Sequence, residues 1–400
     1  MARVLVTNAQ RGNAVAIVRS LGRAGHWVAA ADVSPKAIGF ASRYVAERIV
    51  HPDPYADPEA MVDCIVGAVD RWGVDLVIPV TDELLLPLAN ARDRLGRGVL
   101  AAPDLDVLAG TTDKARTLDH AITLGIPVPA GAVVRTVEEA LAAAGDLGWP
   151  VVLKPRSSRR YGGDGSVERF RVTYAIDAGD LRRRMADLEG RTEVLLQRHV
   201  PGEGHGVELL LHEGRPLAAF QHRRLREVPV SGGPSSLREA IALDPQLLEW
   251  SSALLSGLGW TGLAMVEFKV GAGGPALMEV NGRIWGSLPL AVRAGMDFPA
   301  KLVDLYLDGP PPPGPIDTTY RVGVRSRDLE RELVWIGGAL RNRPHYSFLP
   351  APTRLDGMRV AAGLLRPGGY DVLSRHDLRP GLAEIRYLVR KLRGKVGSDA

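Results

Sequence analysis

The most constraining feature of the sequence is a pair of apolar segments around one glycine-rich turn. Residues 263–270 and 276–281 are rich in aliphatic side chains, and residues 271–274 between them include three glycines. Two such segments joined by a short glycine-rich turn predict a β-hairpin. Glu267 lies in the first predicted strand and Glu279 in the second. Folding about the turn, with one bulge, places the two carboxylates side by side.

Two carboxylates on neighbouring apolar strands repel each other and call for a compensating cation. Asn281 shares the face of Glu279 in the second predicted strand, because side chains alternate along a strand. Two carboxylates and an amide oxygen are hard ligands that suit Mg²⁺ shared with substrate phosphates. Lys269 or Arg283 could neutralise the pair instead, and the sequence leaves that alternative open.

The first 103 residues show short apolar segments that alternate with amphipathic ones. The apolar segments predict strands at 3–6, 27–31, 76–79 and 99–102, and helical spacing of apolar residues occurs at 14–21 and 58–72. Strands that alternate with helices predict a parallel, doubly wound α/β sheet. The loops after the strands of such a sheet line a ligand crevice. These loops contain Thr7, Asn8, Asp32, Thr81 and Asp82.

Several common signatures are missing from the sequence. Residues 7–12 lack the G-x-G-x-x-G of a dinucleotide-binding loop, and no P-loop, H-E-x-x-H or G-x-S-x-G occurs in the chain. The single cysteine, Cys64, excludes an intrachain disulfide framework and a cysteine-based zinc site. The apolar runs are too short to span a bilayer, and the first residues do not resemble a signal peptide. We therefore expect a soluble, cytoplasmic protein.

The middle of the chain carries candidate phosphate-binding residues. Lys114 opens a predicted helix, and Lys154 ends a predicted strand. The segment after that strand contains Ser157, two arginines and three glycines, among them Gly162 and Gly163. Such a loop can wrap a polyphosphate with backbone N–H groups and positive charge, although it is equally typical of a surface turn.

Residues 194–204 change from an apolar strand to a short polar linker and then to a turn with Pro201 and Gly202. This pattern predicts a hinge. The edge of an adenine ring could bond to its backbone groups while Glu203 binds a ribose hydroxyl. An ordinary joint between a strand and a turn is the alternative.

A cationic segment further along the chain is a candidate for substrate selection. Arg223 or Arg224 could hold a substrate carboxylate in a bidentate fork, and His222 could serve as a polar contact or base. The glycines and hydroxyls that follow, Ser231 and Gly232 among them, can form an anion-binding nest. An exposed basic strand and turn is the alternative.

Trp285 follows Arg283 closely in the sequence. Its indole could form a wall of the substrate pocket, or it could be an aromatic side chain of the core.

The net charge of +4 is spread unevenly. Residues 315–400 contain 16 Lys and Arg against 9 Asp and Glu, and helical patterns occur at 329–340 and 382–392. The second of these is basic and amphipathic, so it could contact an anionic membrane or an acidic partner. A dimer contact or a solvated basic face are the alternatives. Nucleic acid is disfavoured, because few aromatic side chains are present there to stack on bases.

In order and spacing, these segments resemble the ATP-grasp superfamily, in particular its carbamoyl-phosphate-synthase-like carboxylate ligases. The resemblance covers residues 3–308. It rests on Asp113-Lys114, Val152-Leu153-Lys154-Pro155, the glycine loop, the hinge, Met265-Val266-Glu267-Phe268 and Met278-Glu279-Val280-Asn281-Gly282-Arg283. It implies a Rossmann-like pre-ATP-grasp domain over 1–105 and an ATP-grasp domain over 106–310 with ATP-binding and catalytic subdomains. A basic, partly helical extension over 316–400 follows.

The resemblance also implies a reaction. ATP phosphorylates a carboxylate, and an amine attacks the resulting acyl phosphate, so that an amide forms and ADP and phosphate leave. The implied partners are a small carboxylate and a small amine, and a homodimer is possible.

Each implied role falls on a matching position of this chain. The implied nucleotide contacts are Lys114, Lys154, Gln197, Arg198, Val200 and Glu203. The implied Mg²⁺ ligands, with Mn²⁺ as a possible replacement, are Glu267, Glu279 and Asn281, and Arg283 lies next to the transferring phosphate. Many relatives have a glutamate where Gln197 stands, although an amide can still accept from an adenine amino group.

Two other interpretations remain open. One is a ligase that uses bicarbonate or an acceptor other than an amine. The other is a nucleotide-binding regulatory or scaffold protein that binds ATP without turnover. The presence of Lys154, Glu267, Glu279, Asn281 and Arg283 favours an enzyme.

Overall fold

The chain folds into a mixed α/β protein built on three main sheets. A computed structural model describes residues 1–157, 159–161, 167–230, 232–341, 346, 348–349, 351–365, 369–392 and 394, and the predicted positions Gly162, Gly163 and Ser231 lie outside the described residues. No helix among those residues is both long and apolar enough to cross a bilayer.

The first sheet contains five parallel strands in the order β3-β2-β1-β4-β5. Its strands are β1 Arg3–Val6, β2 Trp27–Asp32, β3 Val45–Val50, β4 Leu76–Ile78 and β5 Val99–Leu100. The helices between them are α1 Gly12–Arg23, α2 Pro58–Trp72 and α3 Asp82–Asn90. The central strands β1, β2 and β4 are almost entirely buried, which explains their continuous apolar sequences.

The second sheet contains four antiparallel strands in the order β10-β7-β11-β6. It follows the helices α4 Leu105–Thr112 and α5 Lys114–Thr123. Its elements are β6 Gly131–Val134, α6 Val137–Leu147, β7 Val151–Pro155, β10 Thr173–Ala175, α7 Ala178–Ala186 and β11 Val194–Arg198. A small hairpin, β8 Arg159–Tyr161 with β9 Val167–Arg169, lies between β7 and β10 in the chain. Apolar side chains of β7, β10 and β11 pack with α6 and α7 on one face, which leaves the other face for the site.

The third sheet contains six antiparallel strands in the order β16-β15-β12-β13-β14-β17. Its strands are β12 Glu203–His212, β13 Arg215–Glu227, β14 Ser235–Ala240, β15 Gly262–Gly271, β16 Gly274–Asn281 and β17 Arg325–Arg327. The helices α8 Pro245–Gly257, α9 Leu288–Ala294 and α10 Phe298–Leu307 connect or cover them. Val207, Val266 and Phe268 on one face belong to one core cluster, whereas Leu210, Phe220 and Met265 on the other face belong to a second.

The chain after the proline-rich segment 309–315 returns to the third sheet. Asp317 forms a bridge with Ala218, and β17 pairs with β14. Three helices follow: α11 Leu329–Leu340, α12 Arg354–Gly363 and α13 Leu378–Leu392. The buried pair of Arg19 Nε and Asp377 Oδ2, 3.0 Å apart, ties the start of α13 to helix α1. The C-terminal region therefore packs against both earlier parts of the protein.

Candidate functional site

The predicted hairpin is formed by β15 and β16, and its register places Glu267 directly opposite Glu279. On the turn side of this pair, Phe268 lies opposite Leu277, so Met278 is an extra residue in the second strand. Such a bulge turns a side chain by one position along the strand. The carboxylates of Glu267 and Glu279 are consequently neighbours on one face, as the sequence predicts.

Burial and a nearby cation control the state of Glu267. Burial raises the pKa of its carboxyl, and Glu279 raises it further, whereas Arg224 opposes both effects. Arg224 Nη2 lies 2.5 Å from Glu267 Oε1, and the Asn281 amide donates a hydrogen bond of 2.9 Å to the same oxygen. The structure thus brings Glu267, Glu279, Asn281 and Arg224 together.

Two lysines approach this acidic pair from outside the third sheet. Lys154 lies on the face of the second sheet that α6 and α7 leave uncovered. Burial lowers the pKa of its ammonium group, while Glu279 and Glu267 oppose that shift. Lys114, the first residue of α5, shows the same pattern, with Glu279 and Asp82 as its nearby carboxylates. The site therefore lies between the two antiparallel sheets.

Two glycines in β12 let long side chains lie across that strand. A Cβ on Gly204 would come within 2.8 Å of Arg224, and a Cβ on Gly206 within 2.5 Å of His222. Gly206 pairs with Glu267 on one side and with His222 on the other. The absence of side chains at these two positions therefore allows Arg224 to reach the acidic pair.

Glu227, at the end of β13, links two cations of the site. Its carboxylate lies 3.3 Å from Arg224 Nη1 and 3.0 Å from Lys269 Nζ. Lys269 and Glu267 project from the same face of β15, but Lys269 pairs with Glu227 and not with Glu267. This favours Arg224 over Lys269 as the cation that neutralises the acidic pair within the chain.

Arg283 connects the site to the first sheet. Its Nε lies 3.1 Å from Oδ2 of Asp82, the first residue of α3. The sequence predicts Asp82 in a loop at the ligand crevice, and in the structure it begins α3 directly after the loop that follows β4. The loop of the parallel sheet and the end of the hairpin therefore meet at this ion pair.

His222 and Glu208 form a fully buried pair beside the site. His222 Nδ1 lies 2.8 Å from Glu208 Oε1, and the Ser287 hydroxyl donates a 3.2 Å hydrogen bond to the same oxygen. Burial lowers the pKa of His222 to about 3 and raises the pKa of Glu208 well above its usual range. The imidazole of His222 is therefore uncharged at neutral pH.

Gln197, at the predicted hinge, has a buried side-chain amide with no hydrogen-bond partner among the described residues. It lies on the uncovered face of the second sheet and pairs across strands with Val152 and Gly131. Its amide is buried, and neither Oε1 nor Nε2 has a hydrogen-bond partner among the described residues. A buried amide without partners is costly, so this position favours a ligand that can bond to it.

Other predicted residues do not join the cluster. Arg223 and Glu203 project from the opposite face of the third sheet, where Arg223 lies 2.8 Å from Glu239 and 3.6 Å from Glu203. Trp285 is fully buried and packs edge-on against Phe298. The strand alternation that brings Arg224 inward necessarily turns Arg223 outward.

The remaining predicted positions lie at the edges of the site. Arg198 is exposed and donates from Nε to the Leu147 carbonyl at 2.8 Å. Ser157 is exposed, and Val200 is partly exposed after the hinge strand. Gly232 has a φ of 117°, and a Cβ there would lie 2.9 Å from the Tyr174 hydroxyl. The left-handed backbone at Gly232 therefore favours glycine.

Sequence reasoning missed Glu208 and Glu227, and it did not pair Asp82 with Arg283. Glu208 interrupts an apolar strand, and an acid among buried positions is a usable signal. Glu227 has no comparable signal, since it ends a strand among other charged residues.

The comparisons with known proteins agree with this geometry. Residues 191–328 match the family described as "ATP-grasp in the biosynthetic pathway with Ter operon". This match includes the hinge, the third sheet and the hairpin with both carboxylates. The predicted resemblance to the ATP-grasp superfamily is therefore confirmed.

Curated relatives extend the likeness beyond the matched segment. It is 27% identical over 290 residues to the carbamoyl phosphate synthase large chain of Thermus thermophilus. That alignment covers 68% of this chain and 26% of the relative, so the chain spans about a quarter of the length of that relative.

Solved structures share the fold of this chain at low sequence identity. The biotin carboxylase domain of the Hydrogenobacter thermophilus 2-oxoglutarate carboxylase, solved as a dimer with MgADP, ADP and bicarbonate, gives a TM-score of 0.60 at 20% identity. It covers 81% of this chain and 73% of that one. The L-amino acid ligase of Bacillus licheniformis gives 0.58 at 18% identity, covering 77% and 74%.

Proposed function

We propose that this protein is an ATP-dependent ligase that activates a carboxylate as an acyl phosphate and joins it to an amine. ADP and phosphate leave, and an amide or peptide-like bond forms. The observation that carries the proposal is the meeting of Glu267 and Glu279 with Lys154, Lys114 and Arg283 between two antiparallel sheets.

The charges of this cluster fit a metal-bound triphosphate. Burial raises the pKa of Glu267 and lowers the pKa of Lys154. For each charged group, the loss of hydration therefore outweighs the stabilisation by nearby opposite charges in the protein. A divalent cation stabilises the carboxylates, and phosphate oxygens stabilise the ammonium group. A ligand that carries both charges at once therefore satisfies both halves of the site.

The donor set of the hairpin fits Mg²⁺. The described part of the chain has no cluster of three or more His, Cys, Asp or Glu side chains that could hold a metal ion. The proposed site instead combines two carboxylates with one amide oxygen. Glu267, Glu279 and the Asn281 oxygen would hold the ion, with the remaining positions left to phosphate oxygens and water, as Mg²⁺ prefers. Mn²⁺ has the same oxygen preference. When bound, the ion neutralises charge that develops on the phosphates.

The side chains around the acidic pair suit phosphoryl transfer to a carboxylate. A carboxylate must approach an anionic γ-phosphate, so cations must offset the repulsion and stabilise the transition state. Lys154 and Lys114 would hold the phosphates, and Arg283, oriented by Asp82, would stand at the transferring group. Arg224 would bind the substrate carboxylate when a metal ion takes its place as the partner of Glu267.

The buried His222, paired with Glu208, lies on the same strand as Arg224. His222 has no charge at neutral pH, so it would offer a polar contact to substrate rather than an anion-binding charge. Gln197 would bond to the adenine edge, with Val200 and the neighbouring backbone. Ser157, Gly162, Gly163, Ser231 and Gly232 stay proposed phosphate or substrate contacts.

The organisation of the chain is part of the proposal. The five-stranded parallel sheet supports a Rossmann-like unit over 1–105, followed by the ATP-grasp domain over 106–310 and a basic extension over 316–400. Because β17 pairs with β14, that extension completes the third sheet. We further propose a cytoplasmic location and a homodimer. The homodimer is proposed because the structurally similar biotin carboxylase domain from Hydrogenobacter thermophilus was solved as a dimer.

The decisive experiment is ADP release by the purified protein against a matrix of carboxylates and amines, with bicarbonate and thiols as added arms. Release that requires one acid and one amine together, and that is lost in Lys154→Met, supports the ligase. Lys301→Met is a matched control, since Lys301 pairs with Asp317 on the surface.

The other results of this screen are equally informative. Release with bicarbonate as the only acid would redirect the proposal to a carboxylating ligase. ATP binding in calorimetry with no turnover in any arm would favour the regulatory or scaffold function and contradict the ligase.

A further inference from the structure

Helix α13 presents an apolar stripe that nothing in the described structure covers. Its members repeat at intervals of four and three residues along one side of the helix and are 40 to 78% exposed. They are Leu378, Leu382, Ile385, Val389 and Leu392. Over this length the stripe runs about 21 Å, since a helix rises about 1.5 Å per residue. A continuous exposed apolar stripe of this kind marks an interaction surface.

The opposite side of α13 anchors the helix firmly to the protein. Pro380, Gly381, Glu384 and Leu388 are buried. The Arg19–Asp377 pair lies just before the helix, and Ala383 packs with Val15, Ile38 and Val372. The stripe is therefore held at a fixed position on the surface, because the opposite side of α13 is buried against the rest of the protein.

Cations border the stripe, and among the described residues of α13 no exposed acid matches them. Arg379 and Arg386 are exposed, and Arg390 is partly exposed, along the same flank of the helix. Glu384, the one acid in α13, is buried, and Lys391 pairs with Glu330 at 2.9 Å. The solvent-facing flank of α13 consequently carries positive charge alone.

A groove beside the helix extends this surface toward the first sheet. It measures about 560 Å³ and is lined by Lys36, Ala383, Ile385, Arg386, Val389 and Arg390. Lys36 is exposed and comes from the loop after β2. Lys36 thus adds a positive charge from a second segment of the chain to the apolar and cationic surface of α13.

We propose that α13 and Lys36 form a docking surface for an anionic phospholipid membrane. An interfacial helix buries an apolar stripe at the level of the headgroups while Lys and Arg contact anionic lipids. The stripe supplies the first element, and Arg379, Arg386, Arg390 and Lys36 supply the second.

A second copy of this chain fits the surface less well. Two copies of α13 would bring like charges together, which is unfavourable. A stripe of five side chains is also small beside the roughly 20 to 30 residues that each partner contributes to a standard interface. The positive flank and the small apolar area therefore favour lipid over self-association.

The test is co-sedimentation of the full chain with vesicles of phosphatidylcholine, with and without phosphatidylserine. We expect binding only to the vesicles that contain phosphatidylserine, weakened by salt. Leu382→Gln/Val389→Gln should weaken partitioning by more than roughly tenfold. Arg379→Gln/Arg386→Gln should weaken it roughly tenfold or more, because each cation near an anionic surface contributes about 1 kcal/mol, or about a factor of five.

Val334→Gln/Met358→Gln is the matched control, because these exposed apolar residues lie on α11 and α12. It should bind like the original protein, and circular dichroism should show that all variants keep their fold. Absence of binding to anionic vesicles, or equal binding by the stripe variant, would overturn the proposal. A dimer in sedimentation analysis that Leu382→Gln/Val389→Gln abolishes, without vesicle binding, would assign the stripe to a second copy.

Discussion

Arg283 at the end of the hairpin and Asp82 at the start of α3 form an ion pair with Nε and Oδ2 3.1 Å apart. The two residues are 201 positions apart in the chain. The pair orients the one guanidinium that would stand at the transferring phosphate. Under the proposed function, the segment after the parallel strand β4 therefore contributes a side chain that positions Arg283 for the chemistry.

Asp82→Asn should lower the kcat for ADP release roughly 10- to 100-fold while ATP affinity changes little. The amide removes the charge that holds Arg283, and small errors in position are costly in catalysis. Calorimetry and steady-state kinetics separate the two effects. Asp70→Asn, on the exposed side of α2, is the control. A kcat equal to that of the control would exclude a positioning role for Asp82.

Glu279→Gln should reduce Mg²⁺-dependent ADP release roughly 100-fold or more while the fold is retained. The substitution removes one of two carboxylates that would hold the ion and keeps the size of the side chain. The measurement is a Mg²⁺ titration of ADP release. Glu249→Gln, exposed on α8, should behave like the original protein. An unaltered titration curve in Glu279→Gln would end the metal assignment.

Gln197→Leu should weaken ATP binding by about 1–3 kcal/mol without lowering the melting temperature. The buried amide has no partner among the described residues, so its removal takes nothing from the folded protein itself. Calorimetry with ATP and thermal melting without nucleotide test the two halves. Unchanged ATP affinity would place Gln197 outside the nucleotide site. A clear loss of stability would show that the amide already has a structural role.

Glu384→Gln should make stability less dependent on pH. Burial raises the pKa of Glu384 to about 8, with smaller contributions from Asp328, Asp371 and Glu330. Because the folded protein holds this proton more tightly than the unfolded chain, the stabilisation is complete below the usual glutamate pKa. It is lost as pH rises through about 8.

Melting temperatures between about pH 5 and pH 9 check this expectation, with each pKa unit corresponding to about 1.4 kcal/mol. Glu138→Gln, exposed on α6, is the control and should keep the original slope. If Glu384→Gln keeps that slope as well, Glu384 ionises normally in the folded protein.

The sequence predicted most elements whose cause is local. The helices Pro58–Trp72 and Leu329–Leu340 were predicted with these bounds, and each begins after an aspartate whose side chain accepts from the backbone of the first turn. The bulge beside Glu267 was predicted because a short turn sets the register of its two strands.

Elements without a local signal were not predicted. Strand β3, Val45–Val50, lies at the edge of the first sheet, and its exposed polar residues form no apolar run. Helix α3 contains Pro87, which interrupts its helical pattern. Such elements depend on neighbours that are distant in the chain.

By itself, then, the sequence determined the order of the elements and the paired carboxylates, because turns, caps and apolar periodicity act over a few residues. The order and spacing of its motifs also carried the resemblance to the ATP-grasp superfamily. Only the tertiary structure decided that Arg224 rather than Lys269 meets Glu267, that Asp82 holds Arg283, and that Arg223 faces away. These outcomes depend on strand pairing and burial between segments far apart in the chain, and no short-range pattern encodes them.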